Sequence, residues 1–448
     1  MSVKTPAPPM SEQQTNAALQ SFVQNQNEPA PLQAARQAAL NAYQSTGNPD
    51  SQHESWRKIR LESRGFDAKA FRLFADPTVA AAKPTIANPH ASHVSVAEFS
   101  EILASSNHAV YAKIIQDHLN DLTARINSPI PEGGTTNQGV MTDREPLNVF
   151  QLQNLACHHS ATFVAAKGAA LPATEPVRIR HTNSGDTAVI QRTLIYAAPG
   201  AELTVVEDFR AAETGARNGS DDQASLWNCE TYIICGDNAR VNYISLRHYA
   251  GDEYNFHRIE SNQGRDSRVH VSIAQHGGLA GKCFVTGRLN APGGEFRGIG
   301  LTAASQAEYV DMEMLAAHDA DHTASSLLYK AVVRDRAHSV FNGNLLIPPG
   351  RKHVDSHQTN NNILLNKKAR AESMPKLIVK AEDVSAEHGA TVGELDAEAI
   401  FFLMSRGLSE SDARVMLIEG FLMQVIAEFP VPDLHEQLFE EWKAKLAL

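Results

Sequence analysis

The spacing of apolar residues changes along the chain, and each change predicts a different kind of element. Near the start, apolar residues recur at helical spacing over 32–43, and the pattern ends before Pro49. A second helical stretch opens at Ser95, with Glu98 at the spacing of a capping box, and continues over 109–122. The first third of the chain is therefore predicted to be helical.

From about Pro176 the pattern is that of short strands. Val269, Val271 and Ile273 alternate with polar neighbours, a period of two that is typical of a strand with one buried face. Turn residues separate such stretches, and several units begin 29 or 30 residues apart, at positions 239 and 268 and at 307 and 337. Many short strands without intervening helices predict a sandwich, a barrel or a β-helix, and the pattern alone leaves these three open.

After Gly393 the period is helical again. Asp396 is a suitable N-cap, Gly407 a suitable end, and Ser409 a suitable start for the next helix. The apolar face of the first of these helices consists of Ala397, Ile400, Phe401 and Met404. The next helix, 413–429, is apolar on nearly every side and must be buried on more than one of them. Two explanations stay open: packing against the β-core and the last helix, or docking of a partner.

Charge and composition exclude several classes of protein. The net charge of −11 argues against a nucleic-acid footprint and against anionic membrane surfaces. No apolar run approaches the roughly 18–20 residues that span a bilayer, and no signal peptide is expected at the start. Residues 1–30 are rich in Gln, Asn, Pro and Ser, which predicts a disordered tail. Few and scattered cysteines favour a cytoplasmic protein. They are Cys157, Cys229, Cys235 and Cys283.

Several motifs carry reactive atoms without the spacing that the chemistry needs. His353 and His357, and likewise His318 and His322, have no third or fourth metal ligand at a fixed spacing, which favours solvated or strand-edge residues. The stretch 277–283 comes nearest to a phosphate-binding loop, but it is one residue short and ends in Cys where Ser or Thr would ligate magnesium. ATP binding by this chain is therefore not predicted.

The most specific signal lies in 352–409. It reads K-H-V-D-S-H-Q-T-N-N-N-I-L-L-N, then A-E-D-V-S-A-E-H-G-A-T-V-G-E-L-D, then I-F-F-L-M-S-R-G-L-S. This is an amide-rich turn, a polar strand edge carrying His388 and an abrupt change to helical periodicity. The run resembles the C-terminal signature of the SufB/SufD family, the scaffold proteins of sulfur-mobilising iron–sulfur cluster assembly, and resembles SufD more than SufB.

The resemblance implies a mainly β protein with a right-handed parallel β-helix core flanked by N-terminal and C-terminal α-helical regions. The implied division is a disordered tail over 1–30, an N-terminal helical region over 31–150, a β-helix core over 151–393 and a C-terminal helical domain over 394–448. It also implies a scaffold subunit that is not itself an enzyme and that belongs to an ATPase-driven assembly complex.

Partners and site residues follow from the same resemblance. It implies pairing with a SufB-like subunit through the β-helix, docking of a SufC-like ATPase on the C-terminal helices, and a transient iron–sulfur cluster shared with the partner. In SufD a His at the motif position faces SufB near the site of nascent cluster formation. We therefore expect His388 to serve as an iron or cluster ligand, a role that suits imidazole. The residues expected to dock the ATPase are Ala397, Ile400, Phe401, Arg406, Gly407, Met416 and Phe421.

Two departures from the family pattern matter. Ala386 stands where SufD proteins often have a Cys, so no thiolate is available beside His388. Asn360 and Gly389 stand where SufB proteins carry a Cys and a Glu, which favours the SufD paralogue.

Two alternatives remain open. One is a SufB-like homodimeric scaffold that holds a cluster itself, for which Cys157, Cys229 and Cys283 could supply thiolates. The other is a carbohydrate-active β-helix enzyme, which would need clustered carboxylates on one strand face. Fold analogy is no warrant for that activity.

Overall fold

The chain was analysed as a computed structural model. It describes residues 19–24, 28–47, 49, 54–59, 61, 66, 84–87, 94–126, 147–168, 175–183, 188–211 and 225–446. The helices are α1 (19–24), α2 (Ala30–Ser45), α3 (Glu54–Arg57), α4 (Phe99–Ala104), α5 (Ala109–Ile126), α6 (Val149–Cys157), α7 (Ala397–Ser405), α8 (Glu410–Ile426) and α9 (Asp433–Leu446). A 3-10 turn over Ser106–His108 joins α4 to α5.

The strands dominate the remainder. They are β1 (Thr85–Ala87), β2 (Val94–Glu98), β3 (Ser160–Ala166), β4 (Val177–Asn183), β5 (Val189–Ala197), β6 (Glu202–Ala211), β7 (Ser225–Cys235), β8 (Arg240–Tyr249), β9 (Glu253–Gln263), β10 (Arg268–Gly277), β11 (Ala280–Leu289), β12 (Glu295–Ala304), β13 (Tyr309–His318), β14 (Ala324–Val333), β15 (His338–Ile347), β16 (Lys352–Leu364), β17 (Arg370–Val379) and β18 (Asp383–Gly393).

The described strands form two nine-stranded sheets, and from β3 onwards successive strands of the chain belong to the two sheets in turn. One sheet contains β1 and the even-numbered strands from β4 to β18, and the other contains β2 and the odd-numbered strands from β3 to β17. Neighbours from β3 onwards are parallel, and Arg268 of β10 lies opposite Arg240 and Glu295, which are 28 and 27 residues away in sequence. Each turn of the coil thus adds one strand to each sheet. The predicted parallel β-helix with helices at both ends is confirmed.

Side chains alternate between the inside and the outside of this solenoid. Val269, Val271 and Ile273 of β10 point inwards and are buried in a core that continues from rung to rung. Because each rung stacks directly on the next, an inward position on one strand meets inward positions on both neighbours. The apolar residues of the alternating pattern in the sequence are therefore the ones that point into the coil.

Both outer faces of the solenoid are covered by helices. On the odd-numbered sheet, helices α2, α5 and α6 share one apolar cluster with strand residues such as Phe256 and Phe284. On the even-numbered sheet, helices α8 and α9 pack Leu422, Val425 and Trp442 against the outward side chains of the strands. The two β-faces that would otherwise meet solvent are buried by the two ends of the chain.

One predicted helix boundary is wrong. Ser95 does not begin a helix but lies in β2, which pairs antiparallel with β3. The helix begins at Phe99, and Glu98 is its N-cap, in a capping box with Glu101. Glu98 also accepts hydrogen bonds from the Ser160 hydroxyl at 2.7 Å and the Ala161 amide at 3.1 Å, which ties the cap to the first rung.

The C-terminal caps were predicted correctly. Asp396 accepts a hydrogen bond from the Glu398 amide at 2.9 Å and begins α7. Gly407 ends it with a φ of +96°, a conformation that favours glycine. Ser409 caps α8 by accepting from the Asp412 amide at 3.1 Å. These local signals need no tertiary partner, which is why the sequence reveals them.

The penultimate helix packs on more than one neighbour and is also partly exposed. Ile418, Leu422 and Ile426 of α8 share one apolar cluster with the even-numbered strands and α9, and α8 also contacts α7, whereas Met416 and Met423 are exposed. Packing against the β-core and the last helix therefore accounts for the buried part of its apolar surface, and docking of a partner on the exposed part stays a prediction.

Part of the predicted domain division falls outside the described residues. Residues 1–18 are among these, while 19–24 are helical with Leu19 and Val23 buried. The boundaries at 30, 150 and 393 stay predictions. Among the described residues, no helix is both long and apolar enough to cross a membrane.

Candidate functional site

The last rung of the solenoid has two free strand edges. Strands β17 and β18 each pair with one neighbour, β15 and β16, and within the described residues no strand pairs with their outer edges. A free edge presents a row of backbone N–H and C=O groups that can pair with another chain. This rung is also where the resemblance placed the candidate ligand His388.

His388 lies on β18 directly above Gln358 of β16. Gln358 points into the solenoid, because it stacks on Leu327 of the interior core and is itself buried. By the same register His388 belongs to the inward row of its strand, yet it is exposed because no further rung covers it. The imidazole therefore sits at the open mouth of the coil.

The side chain beneath His388 is an unusual one. Gln358 crosses the interior to the opposite sheet, where a Cβ on Gly343 would lie 2.2 Å from its Nε2 atom, so a larger residue at 343 would displace the Gln358 amide. Within the described part of the chain, both amide atoms of Gln358 are buried without a hydrogen-bond partner. A buried amide left unpaired costs about 1–3 kcal/mol. The rung below the candidate ligand thus keeps polar atoms available for a group that is supplied from outside.

Other inward positions of the penultimate rung are also polar. Asn362 donates to Asn360 at 2.8 Å, and Asn360 donates to Ser373 of β17 at 2.7 Å. This amide row ends the apolar core and explains the run of asparagines in the sequence. Asn360 has a structural role, because its side chain joins the two sheets.

Apolar side chains surround the same opening. Leu377 and Val379 of β17 and Val392 of β18 are exposed, with Val392 44% accessible. Ala386 and Ala390 lie in the inward row on either side of His388. An imidazole ringed by small and branched apolar groups on a free edge is suited to burial by a partner.

The outer side of this rung carries histidines and carboxylates. His357 lies 2.9 Å from Asp355 and 3.7 Å from Glu387 through its two ring nitrogens, and His353 lies 3.4 Å from Asp383. All of these groups are exposed to a substantial degree. They give the rim several oxygen and nitrogen donors of the kind that divalent iron accepts.

The two histidine pairs considered in the sequence do not form pairs in the structure, where one member of each instead contacts the other. His318 is buried and shares hydrogen bonds with the Thr323 and Ser325 hydroxyls at 2.8 and 2.9 Å, so it is a core residue. His322 instead stacks on His353 of the next rung, with ring centroids 4.6 Å apart. Both stacked residues have positive φ, His322 in a bend between strands and His353 at the register shift near the start of β16.

The cysteines do not belong to the open rung. All four are free and buried, and burial raises the pKa of the Cys157 and Cys235 thiols to about 12. Burial also raises the pKa of Cys229 and of Cys283, although Arg247 opposes it in both cases. The thiolate is the form that binds metal, and these surroundings suppress it. Cys229 and Cys235 lie on β7 and each packs in an apolar cluster, so both are core residues.

Sequence reasoning missed a polar network inside the solenoid. Glu207 accepts hydrogen bonds from Tyr243 at 2.6 Å and Thr193 at 2.7 Å, and lies 3.0 Å from His181. Burial alone would raise the pKa of Glu207, but these partners together lower it. On the neighbouring column, His257 contacts Arg247 at 2.9 Å. Only the rung register brings these distant positions together.

The predicted docking residues fall into an exposed and a buried group. Phe401 is 72% accessible, and Met416 is exposed on the adjacent helix. Ala397, Arg406 and Gly407 are exposed as well. By contrast Ile400 is buried, and the ring of Phe421 receives the Lys330 ammonium at 4.4 Å from its centroid.

Two further exposed residues of α7 were not among the predicted docking residues, although Met404 was predicted to lie on the apolar face of this helix. Phe402 and Met404 are open, and only Ile400 of this nine-residue helix is buried. With Phe401 they form a contiguous apolar surface, which we call the α7 surface. Such a surface on a folded chain marks an interaction site.

Comparison with known proteins identifies the family. Residues 179–421 match the model described as SUF system FeS cluster assembly, SufBD core domain. The iron–sulfur cluster assembly protein SufD of Escherichia coli is 27% identical over 322 residues, 69% of this chain and 74% of that protein. SufD of Bacillus subtilis is 28% identical over 258 residues, 57% of each chain.

An iron–sulfur cluster assembly SufBD family protein of Synechocystis is 29% identical over 249 residues, and the match spans 55% of this chain and about half of that protein, 54%. The family model covers more than half of the present chain and includes most of β4 and every strand from β5 to β18. The chain belongs to the SufBD family of the SUF system for iron–sulfur cluster assembly.

Proposed function

We propose that this chain is a SufD-like scaffold subunit, itself without catalytic activity, in a cytoplasmic iron–sulfur cluster assembly complex. It pairs with a SufB-like subunit through the open rung and docks a SufC-like ATPase through the α7 surface. The observation that carries the proposal is the unpaired last rung, in which His388 lies exposed above the buried and unpartnered amide of Gln358.

The free edges of β17 and β18 support pairing with a second solenoid. A partner strand laid on each edge would continue both sheets, satisfy their backbone groups and bury Leu377, Val379 and Val392. The partner would also close the mouth of the coil over His388. A cluster-building site at the junction of two subunits follows from that geometry.

His388 has the chemistry for an iron ligand at this junction. Its imidazole is exposed, and the neighbouring rim offers carboxylates of Asp355 and Glu387. Because Ala386 supplies no thiolate, the sulfur ligands of a nascent cluster would come from the partner. The cluster is thus a transient product shared with the partner and not a resident cofactor of this chain.

The α7 surface supports docking of the ATPase. It is apolar, exposed and separated from the core contacts of α8, so a partner can bind it without unfolding the helical domain. ATP hydrolysis in that partner would move α7 and α8, and α8 rests on the outward side of strands that lead to the open rung. In this way ATP hydrolysis in the partner could change the structure of the open rung that carries His388.

The test is co-expression of this chain with its SufB-like and SufC-like counterparts and purification by a tag on this chain alone. We expect a stoichiometric complex whose cluster yield, read by visible absorbance under anaerobic conditions, falls at least about tenfold for His388→Ala. His322→Ala, an exposed histidine on a turn, is the matched control and should keep the parent yield. Unchanged yield for His388→Ala would make that residue structural, and absence of a complex would overturn the proposal.

A second variant in the same experiment separates the two interfaces. Phe401→Asp should remove the ATPase from the purified complex and leave the SufB-like subunit, because it places a charge in the centre of the α7 surface. Val110→Asp, an equally exposed apolar position on α5, is its control. Retention of the ATPase by Phe401→Asp would show that docking occurs elsewhere.

A SufB-like homodimer is the second candidate, since the same free edges could accept another copy of this chain. The buried thiols with raised pKa values weigh against a cluster held by this chain alone. Anaerobic reconstitution of the isolated chain with iron and sulfide, followed by visible absorbance, distinguishes the two candidates: a stable cluster favours the homodimer.

A further inference from the structure

A second cluster of metal-binding side chains lies far along the solenoid from the open rung. His248 of β8 and His276 of β10 are direct neighbours in the parallel register, and Glu441 of α9 reaches them from the covering helix. One ligand atom from each residue lies within 4.8 Å of the other two. The two imidazoles are in contact, with His248 Nδ1 2.8 Å from His276 Nε2.

The cluster contains polar atoms that no neighbour satisfies. In the described part of the chain, His248 Nε2 and Glu441 Oε2 are buried and make no hydrogen bond. Glu441 Oε2 lies 3.5 Å from His248 Nδ1, and Trp442 shields the site with its ring 5.1 Å from that of His276. One oxygen of the Glu441 carboxylate, whose other oxygen is paired with Arg210, is thus left without a donor beside the two imidazoles.

The charges around the cluster come from several elements. Arg210 of β6 donates to Glu441 Oε1 at 3.2 Å and to Asp208 at 2.8 Å, and Arg180 of β4 donates to Asp208 at 3.1 Å. Lys445 of α9 is paired with Glu308. Arg210 thus occupies one oxygen of Glu441 and leaves the other facing the histidines.

Both histidines are held in the neutral form that binds metal. Burial, helped by Arg210 and Arg180, lowers the pKa of His248 to about 3. Burial also lowers the pKa of His276 well below its usual range, helped by His248 and Lys445. Lone pairs on imidazole nitrogens are therefore available at neutral pH without loss of a proton to solvent.

We propose that His248, His276 and Glu441 bind a late first-row divalent ion of the zinc or ferrous class and thereby fasten α9 to the even-numbered sheet. Two imidazoles with one carboxylate are the donor set of many zinc sites and of mononuclear ferrous sites. Calcium and magnesium prefer oxygen donors and fit this set poorly.

One of the observed separations matches the distance between two ligands of a metal ion, and a second is shorter. Ligands about 2.1 Å from an ion in tetrahedral arrangement lie roughly 3.4 Å apart, which matches the 3.5 Å between His248 Nδ1 and Glu441 Oε2. The two imidazole nitrogens, 2.8 Å apart, share one N–H proton, and they would separate slightly as the ion takes its place. The donating ring would then carry that proton on its other nitrogen, so two neutral imidazoles bind the ion after small ring rotations and no proton is released.

Asp208 lies close enough to become an orienting group when the ion binds. Its Oδ1 atom is 3.7 Å from Nε2 of His248, longer than a hydrogen bond, and the ring rotation on binding would have to close this gap. A carboxylate that accepts from the second ring nitrogen fixes the tautomer and orientation of a metal-binding histidine. The site is independent of the proposed subunit role, since it uses none of the residues of the open rung or the α7 surface.

The experiment is a Co²⁺ titration of the full-length chain, stripped of metal by a chelator and freed of any affinity tag. We expect visible d–d absorption that saturates at about one equivalent and is displaced by Zn²⁺. Glu441→Gln and His276→Gln should each weaken binding about tenfold or more. His270→Gln, which alters a partly buried histidine on the same strand β10 outside the cluster, should bind as the parent does.

A thermal measurement keeps the proposal testable if a histidine variant folds poorly. Zn²⁺ should raise the melting temperature of the parent chain by a few degrees and leave that of Glu441→Gln unchanged, because only the folded site binds the ion. Glu441 is partly exposed, so its variant should fold. Absence of saturable d–d absorption in the parent, or binding that Glu441→Gln and His276→Gln leave intact, would overturn the proposal.

Discussion

The two ends of the solenoid are finished in opposite ways. At the first rung, β1 pairs antiparallel with β4, and β2 pairs antiparallel with β3, so both sheet edges are covered by strands from the N-terminal region. At the last rung, no strand of the described residues pairs with the outer edges of β17 and β18, and apolar side chains such as Val392 are exposed. The same coil is closed by its own chain at one end and left open at the other.

This difference suggests that the two ends have different roles, one in the stability of the fold and the other in association with a partner. The strands at the closed end are buried under α5 and its neighbours, with Phe163 of β3 packed against Tyr111 at a ring distance of 5.2 Å. The open end adds little to the core, since most of β18 is exposed. A chain that protects one edge can avoid uncontrolled polymerisation and still reserve the other edge for a partner. The closed end should determine folding, and the open end should determine assembly.

The largest expected effect is on stability at the closed end. Phe163→Ala should reduce the free energy of unfolding by about 3–5 kcal/mol, because a fully buried ring is replaced by a cavity. Val392→Ala at the open end should change it by less than about 0.5 kcal/mol. Urea denaturation of the isolated chain measures both. Similar losses in the two variants would mean that the open rung is part of the cooperative core and would end the distinction between the two ends.

The next effect is on association at the open end. The double variant Leu377→Asp and Val392→Asp should weaken binding to the SufB-like subunit by about 100-fold, roughly 3 kcal/mol, since each carboxylate would be buried in the interface. Calorimetry with purified subunits measures the affinity. Val110→Asp on α5 is the control for adding charge at an exposed apolar position. Equal affinity for the double variant and the parent would exclude pairing through the open rung.

Much of the architecture could be predicted from local signals. Alternation in β10, the unit spacing near 29 residues and the caps at Asp396 and Ser409 each depend on a few neighbouring residues, and each was predicted correctly. The boundary at Ser95 was wrong because antiparallel pairing of β2 with β3, a tertiary contact, overrides the local helix signal. The exposed face of α8 was unpredictable for a similar reason: an apolar side chain in the sequence does not reveal which partner covers it.

The candidate site was predicted only as far as single residues. His388 was identified through family resemblance, but its place above Gln358 depends on the rung register, which no local pattern reports. The pairing of His248 with His276 depends on the same register, and their contact with Glu441 depends on the position at which α9 packs on the sheet. The 28-residue separation of the two histidines equals one turn of this coil, so the spacing was the available signal once the β-helix was assumed.

The smallest expected effect is on the pH dependence of the free energy of unfolding, to which buried His318 should contribute and exposed His388 should not. Burial lowers the pKa of His318 to about 4 from its usual 6.5, so the folded chain keeps it neutral while the unfolded chain takes up a proton. Stability from this residue is therefore complete above about pH 6.5 and declines as the pH falls towards about 4. His318→Gln should reduce the acid-induced loss by roughly 1–2 kcal/mol in urea denaturation at several pH values. His388→Gln, which alters an exposed side chain, should give a profile parallel to that of the parent. A flattened profile for His388→Gln instead would mean that the open rung is buried within the isolated chain or its self-association.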